Sequence, residues 1–390
     1  MKHLGDITKI HGDQIEPVDC ITFGSPCQGL SMAGKRLGFD DDRSVLFLDA
    51  ARIIKEMRTA TNGMYPTFAV WENVPGAFSS NGGEDFRAVL EELARVEQPD
   101  VSISRPSGRG GGRWSKAGAI AGNGWSLAWR QLDAQYWGVP QRRKRIALVV
   151  DFGGQRAAEI LFERTGVSGN PDESIKAWEA TPGHSQASHS GCDRTSEKAI
   201  YDSRGNGDGR TCPTITGDHE NRITDYTAIA IERKTFNEQS FSRYKESDKC
   251  STLKAKAGNI GNGSECLIAE KTIRWIVRRL TPVECERLQG FPSGWTDIGE
   301  WTDTKGKKHK YADTPRYKAL GNSIALPQWF WIAQKAKPYL RPNATLGSLF
   351  DGIGGFPLVW QKTYGNGTVR WASEIDEFPI AVTKRRFGEE

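Results

Sequence analysis

Two alternating hydrophobic periods predict an α/β fold, a parallel sheet with helices on both faces, accompanied by a smaller β-rich domain. Three observations lead there. Short apolar runs of strand length alternate with stretches whose apolar residues recur every three or four positions. Late in the chain a strand runs into a glycine-rich turn, and the next strand ends on an acid. Between residues 153 and 313 this texture gives way to brief β-like runs separated by polar Gly/Asn/Asp/Ser stretches. The expected division is therefore 1–152 and 314–390 as one α/β domain, with 153–313 as the second.

Asp19 to Phe23 is a short run ending in Gly-Ser-Pro, the pattern of a buried strand and its exit loop. From Ser44 to Met57, the residues Val45, Leu48, Ala51, Ile53 and Ile54 keep helical spacing. Thr67–Trp71 reads as the next buried strand, Asp85–Val96 as an amphipathic helix, and Arg145–Val150 as a further strand. Strands separated by helices imply parallel pairing. Arg105–Gly124 is rich in Gly, Ser, Arg and Lys without periodicity, and is expected to be a loop. Thr227–Ile231 and Cys266–Ala269 are β-like runs of the insert. Leu326–Ala336 is helical in pattern, Thr345–Phe350 is a strand, and Val369–Ser373 is the strand that precedes Glu374.

The bulk properties exclude several classes. The chain has 390 residues, 37% hydrophobic and 26% charged, which suits a folded globular protein of more than one domain. No apolar run reaches membrane-spanning length, and the first residues lack a signal-peptide core. Seven scattered cysteines without a Cys-x-x-Cys pair point to a reducing, cytoplasmic setting. The six histidines lack ligand spacing, so no metal is expected. A net charge of +5 permits a polyanionic partner.

Two groups of residues carry chemistry. Pro26-Cys27-Gln28 follows one buried strand and Glu72-Asn73-Val74 ends another, which brings a thiol and a carboxyl group to one sheet edge. Such a pair suits addition to C6 of a pyrimidine, which turns C5 into a carbon nucleophile. Gln141-Arg142-Arg143-Lys144-Arg145 offers guanidinium groups able to stabilise a thiolate. The second group is the turn Asp351-Gly352-Ile353-Gly354-Gly355-Phe356 followed by Glu374, the arrangement of an adenosine pocket whose acid takes ribose hydroxyls. Gly352 and Gly354 fit the first two positions of the dinucleotide fingerprint, but Pro357 occupies the third. That favours S-adenosylmethionine, which has no pyrophosphate, over NAD.

These blocks, with Leu280-Thr281-Pro282, Glu284-Cys285, Gln289-Gly290-Phe291-Pro292 and Gly321-Asn322-Ser323, closely resemble those of the DNA cytosine-5 methyltransferase family. The resemblance implies a Rossmann-like S-adenosylmethionine-dependent methyltransferase sheet and a β-rich target-recognition domain. It implies Cys27 as the nucleophile, Glu72 as the group at N3 of the base, Arg143 at the base carbonyl, and Arg145 orienting Glu72 or the ring. Phe350, Asp351, Gly352, Ile353, Gly354 and Gly355 then form the methionine side of the cofactor pocket. Glu374 meets the ribose, Ile375 packs on adenine, and Asp6, next to Ile7, meets the adenine amino group. Pro26, Leu46, Asn322 and Ser323 complete that pocket. Gln28, Ser31, Lys35, Asn73 and Thr252 are the expected DNA contacts. Cys285 lies in helical spacing and reads as a packed helix residue.

The blocks arrive in rotated order. The family's arrangement starts with the glycine-rich turn and ends with the Asn322 block, whereas here the turn comes near residue 352. The resemblance thus implies a circular permutation, with the usual ends joined near Arg341-Pro342-Asn343-Ala344. Expected partners are double-stranded DNA and, functionally, a cognate restriction endonuclease, with the chain acting as a monomer. Two rival readings are an RNA cytosine-5 methyltransferase on the same scaffold and an inactive sequence-specific DNA-binding protein. The long insert argues against the first, and intact Cys27, Glu72 and Arg143 against the second.

Overall fold

The structure is a computed structural model that describes residues 1–25, 42–106, 113–162 and 280–388, with the backbones of five strands between residues 198 and 269. These residues fall into two compact units. In chain order the first unit begins with β1 (Lys2–His3), β2 (Cys20–Phe23), α1 (Asp42–Ala60), β3 (Phe68–Asn73) and α2 (Glu84–Ala94). It continues with β4 (Ala117–Ala121), β5 (Ser126–Asp133), β6 (Lys144–Asp151) and α3 (Ala157–Leu161). The second unit contains β7 (Lys198–Asp202), β8 (Thr227–Ile231), β9 (Lys234–Ser240), β10 (Arg243–Ser247) and β11 (Cys266–Ala269). The first unit then resumes with α4 (Pro282–Leu288), β12 (Trp301–Thr302), β13 (Lys308–His309), α5 (Asp313–Asn322) and α6 (Leu326–Ala336). It ends with β14 (Leu346–Leu349), α7 (Gly355–Tyr364), β15 (Val369–Ser373) and α8 (Glu377–Phe387).

The main sheet has eight strands in the order β1-β15-β14-β2-β3-β6-β5-β4. Pairing is parallel from β1 to β3. It turns antiparallel at β3–β6, β6–β5 and β5–β4. The parallel pairing expected for Arg145–Val150 is therefore corrected. Only a short connection with a 3-10 turn at Ala134–Trp137 joins β5 to β6, too little for a crossover helix, so the two strands form a hairpin. Part of the expected Arg105–Gly124 loop is also strand, since Ala117–Ala121 forms the sheet's edge with alternating exposure. Its Ala and Gly side chains carry almost none of the β-branched or aromatic signal by which strands are recognised. In the second unit β7 pairs with β8, and β9 lies between β10 and β11, all antiparallel.

The two faces of the sheet are built from alternate residues of the same strands. Ile21, Phe23, Ala69 and Trp71 point into a core shared with Phe47, Ile53, Met57 and Phe86 from α1 and α2. Cys20, Thr22, Phe68 and Val70 face the other way, toward Ile160 of α3, Trp329 and Ile332 of α6, and Val359 of α7. Helices therefore cover both faces, as expected. Gly347 on β14 admits the indole of Trp371, because a Cβ there would sit 2.2 Å from that ring. The base of β2 is tied to the segment before β14: buried Asp19 accepts the Thr345 N–H at 2.7 Å, the Thr345 hydroxyl at 2.8 Å and the Arg341 guanidinium at 2.8 Å.

Residues 281–313, grouped with the insert on texture, lie in the first unit. Helix α4 starts at a capping box between Thr281 and Glu284, with Pro282 in its first turn. It buries Cys285 and Leu288, and Phe291 beyond it is fully buried. Those apolar groups need the first unit's core, which explains the shift of boundary.

Candidate active site

Helix α1, after β2, covers one face of the sheet, and α7, after β14, covers the other. Ligands of open α/β sheets bind at such a switch, outside the carboxyl ends of the strands. A cleft of about 750 Å³ opens there. Gly24 and Ser25 leave β2 into it, Val74 leaves β3, Phe350 and Gly352 leave β14, and Glu374 leaves β15. Its far wall comes from one face of α5, along its whole length, and from the first turn of α8.

At one end a carboxylate and two arginines meet. Glu72 Oε1 is 2.7 Å from Arg145 Nε, with both side chains largely buried. Gly24 leaves room for that carboxylate, because a Cβ there would lie 3.0 Å from Glu72 Oε2. The antiparallel direction of β6 is what makes the pair. It brings the start of β6, with Arg143 and Arg145, to the edge where β3 ends; a parallel β6 would have placed them at the opposite edge.

Arg143 is 1% exposed and donates to the carbonyls of Gly321, at 3.1 Å, and Ser323. It thus fastens the Gly321-Asn322-Ser323 turn to the sheet. Burial first, then the neighbouring Arg145, pulls its guanidinium down to about 9, against the pull of Glu72, so it stays cationic at neutral pH.

The exit of β2 is fixed just before Cys27. The Trp71 indole N–H donates to Ser25 Oγ at 3.0 Å, and the Asn73 amide donates to the Ser25 carbonyl at 3.2 Å. Asn73, an expected DNA contact, is buried and uses its side-chain oxygen to accept the Val74 N–H at 2.8 Å. Cys27, Pro26, Gln28, Ser31, Lys35 and Thr252 lie outside the described residues.

The other end is made of backbone. Phe350 has φ of +55°, a left-handed conformation that costs a non-glycine residue about 1–3 kcal/mol and collects at functional sites. Gly352 follows at φ +58°, and a Cβ there would meet nothing within 4 Å, leaving its backbone open to the cleft. Glu374 accepts the N–H groups of Gly352 at 2.8 Å, Ile375 at 2.8 Å and Asp376 at 2.9 Å. Ile375 is 68% exposed, a large apolar side chain with an open face. Gly354 and Gly355 open α7, and Ile353 is buried. Asp351 is also buried, with Ser348 Oγ donating to its Oδ1 at 2.6 Å and no partner for Oδ2. Burial, against the Ser348 hydrogen bond and with the charge of Glu374, pushes its carboxyl up to about 8.

An open glycine backbone, an acid at the next strand end and a bare apolar side chain beside it fit an adenosine-bearing cofactor. The structure brings Glu72, Asn73, Arg143, Arg145, Asn322, Phe350, Gly352 and Glu374 to the cleft. It does not bring Asp6, Ile7 or Leu46 to its lining, nor Ser323, Asp351, Ile353, Gly354, Gly355 and Ile375, which flank the lining residues in sequence. Asp6 caps the turn Ile7–Lys9, accepting from the Thr8 N–H at 3.0 Å and hydroxyl at 2.8 Å, and Ile7 is core. Leu46 packs against the same core.

Sequence reasoning missed the far wall, where Lys318 and Asp376 pair at 3.1 Å and Phe378 faces the cleft. The signal was present for Lys318. Thr314, Lys318 and Asn322 recur every four residues and share one face of α5, and all three line the cleft.

Residues 1–97 and 118–337, well over half of the chain, match the family described as C-5 cytosine-specific DNA methylase. A protein of Escherichia phage P1 named DNA N-6-adenine-methyltransferase is 31% identical over 416 residues, covering 85% of this chain and 55% of that protein. Type II methyltransferase M1.ScrFI of Lactococcus lactis subsp. cremoris is 29% identical over 331 residues, covering 85% and 65%. Type II methyltransferase M.BsuFI of Bacillus subtilis is 25% identical over 340 residues, covering 87% and 62%. The chain thus spans less than two thirds of the length of each of these relatives. With the family match reaching from β1 across the Glu72–Arg145 pair to the Asn322 turn, the chain belongs to the C-5 cytosine-specific DNA methylase family.

Proposed function

We propose that this protein transfers a methyl group from S-adenosylmethionine to C5 of cytosine within a short recurring sequence of double-stranded DNA. One observation carries the reading: a single cleft holds the Glu72–Arg145 pair, beside the exit of β2 toward Cys27, and the Gly352–Glu374 turn.

The target base leaves the duplex, since C5 and C6 are out of reach within the stack. Cys27 adds as thiolate to C6, forming the S–C6 bond and pushing ring electrons toward C5 and N3. Glu72, positioned by Arg145, holds or delivers a proton at N3 and so absorbs the charge that gathers there. Arg143 holds the Asn322 turn and keeps a positive charge behind Glu72. Bound cofactor supplies an electrophilic methyl group. Loss of the C5 proton restores the ring and breaks the S–C6 bond, freeing Cys27. Gly352, Glu374 and Ile375 hold the adenosine part, and Phe350 and Asn322 the methionine part. Side chains of the second unit read the recognised bases. The rotated order of blocks is a circular permutation in this reading, and the mark protects DNA from a cognate restriction endonuclease.

The test is base-resolution mapping of 5-methylcytosine and N6-methyladenine in plasmid DNA from a methylation-free host expressing the chain. 5-Methylcytosine in one short context supports the reading and gives the site. N6-methyladenine, or methylated cytosine in RNA alone, overturns it.

A further inference from the structure

One charged feature at the edge of the cleft has no part in this chemistry. The β12–β13 hairpin carries Lys305, Lys307 and Lys308, with Lys310 directly after it, all exposed. Among the described residues none of the four lies within ion-pair distance of a carboxylate. Like charges so close repel, and an unrestrained loop would spread them. Here the backbone is locked instead. Asp303 Oδ1 accepts the N–H groups of Lys305 at 3.0 Å and Lys307 at 2.8 Å, and Oδ2 lies 2.9 Å from His309 Nε2. The hydrogen bond from His309, then the one from Lys307, hold the Asp303 carboxyl below its ordinary range, so it remains charged.

The hairpin is also fastened to the rim. The Trp301 ring lies flat on His309, centroids 4.1 Å apart, and meets Phe378 edge-on at 5.6 Å. Thr304 donates its N–H at 2.8 Å and its hydroxyl at 2.6 Å to Glu377. Phe378 and Glu377 both line the cleft. A rigid projection with four exposed ammonium groups beside a nucleic-acid cleft matches a phosphodiester backbone in charge. A merely solubilising surface needs neither the Asp303 lock nor the anchor on Phe378 and Glu377.

We infer that the Trp301–His309 hairpin, through Lys305, Lys307, Lys308 and Lys310, grips the phosphate backbone of the DNA that occupies the cleft. This rests on the DNA reading above. The experiment is fluorescence anisotropy of a labelled mixed-sequence duplex across a sodium chloride series. It compares the wild type with a fourfold variant, Lys305→Gln, Lys307→Gln, Lys308→Gln and Lys310→Gln, and with its fourfold arginine counterpart. The glutamine variant is expected to bind about tenfold or more weakly near 0.1 M salt, with a log–log salt slope shallower by roughly 2 to 3.5. The arginine variant keeps the wild-type slope, and calorimetry with S-adenosylhomocysteine shows both variants with wild-type cofactor affinity. An unchanged slope in the glutamine variant, or an arginine variant as weak as it, overturns the hairpin assignment alone. A wild type without affinity for duplex DNA overturns both this inference and the DNA reading.

Discussion

At the β3–β6 end of the cleft, side chains hold one another: Arg145 holds Glu72, and Arg143 holds the Gly321–Ser323 turn from a buried position. At the β14–β15 end the contact surface is mostly main chain, with Phe350 and Gly352 in left-handed conformations and Glu374 ringed by three N–H groups. The contrast follows from the two tasks. Charge that develops on a reacting base needs fixed counter-charges placed in advance. A cofactor needs close backbone approach and an acceptor for its hydroxyls. Single substitutions should therefore cost activity at the first end and affinity at the second.

The largest effect is expected at the nucleophile. Cys27→Ala abolishes methyl transfer while calorimetry still shows cofactor binding; surviving methylation would remove Cys27 from the mechanism. Next comes Arg143→Met, which strands two buried carbonyls. We expect a stability loss of about 2–4 kcal/mol in urea unfolding together with lost activity. An unchanged unfolding midpoint would show that the Gly321–Ser323 turn stands without it.

At the backbone end the effects are smaller. Glu374→Ala weakens S-adenosylmethionine binding by roughly 1.5–3 kcal/mol for lost charge-assisted hydrogen bonds. Equal affinity by calorimetry would exclude Glu374 from the pocket. The last prediction concerns pH. The Asp351 carboxyl is raised in the fold from its ordinary 3.8 to about 8. The folded state then binds a proton that the unfolded chain has released. That contribution to stability is complete below 3.8 and is lost as pH climbs toward about 8. Asp351→Asn removes this component, so its stability should fall less over that window than the wild type's. Parallel curves would place Asp351 in a more polar setting than the structure gives it.

Much of the site was legible because its residues sit in short blocks next to strand ends. Pro26-Cys27-Gln28, Glu72-Asn73-Val74 and the Gly352–Glu374 pattern each announce a turn, a carboxyl edge or an acid in a few positions. The far wall was not legible in the same way. Phe378 and Pro379 look like ordinary helix residues, and only the meeting of α5 with α8 turns them toward a cleft. The β4–β5 hairpin was missed because its first strand is mostly Ala and Gly.

By itself the sequence determined the α/β class, the two pairs of strand ends that carry chemistry, and the presence of a β-rich insert, though not its bounds, which it set at 153 and 313. Those properties live in local periodicity and turn residues, which act over a few positions. Only the tertiary structure decided that β6 runs antiparallel to β3, and with it the pairing of Arg145 with Glu72 and the anchoring of the Asn322 turn by Arg143. It also decided that the turn at residue 352 faces the same cleft as Glu72. Strand direction and the meeting of distant segments depend on which apolar faces can be buried together, a property of the whole core rather than of any window of sequence.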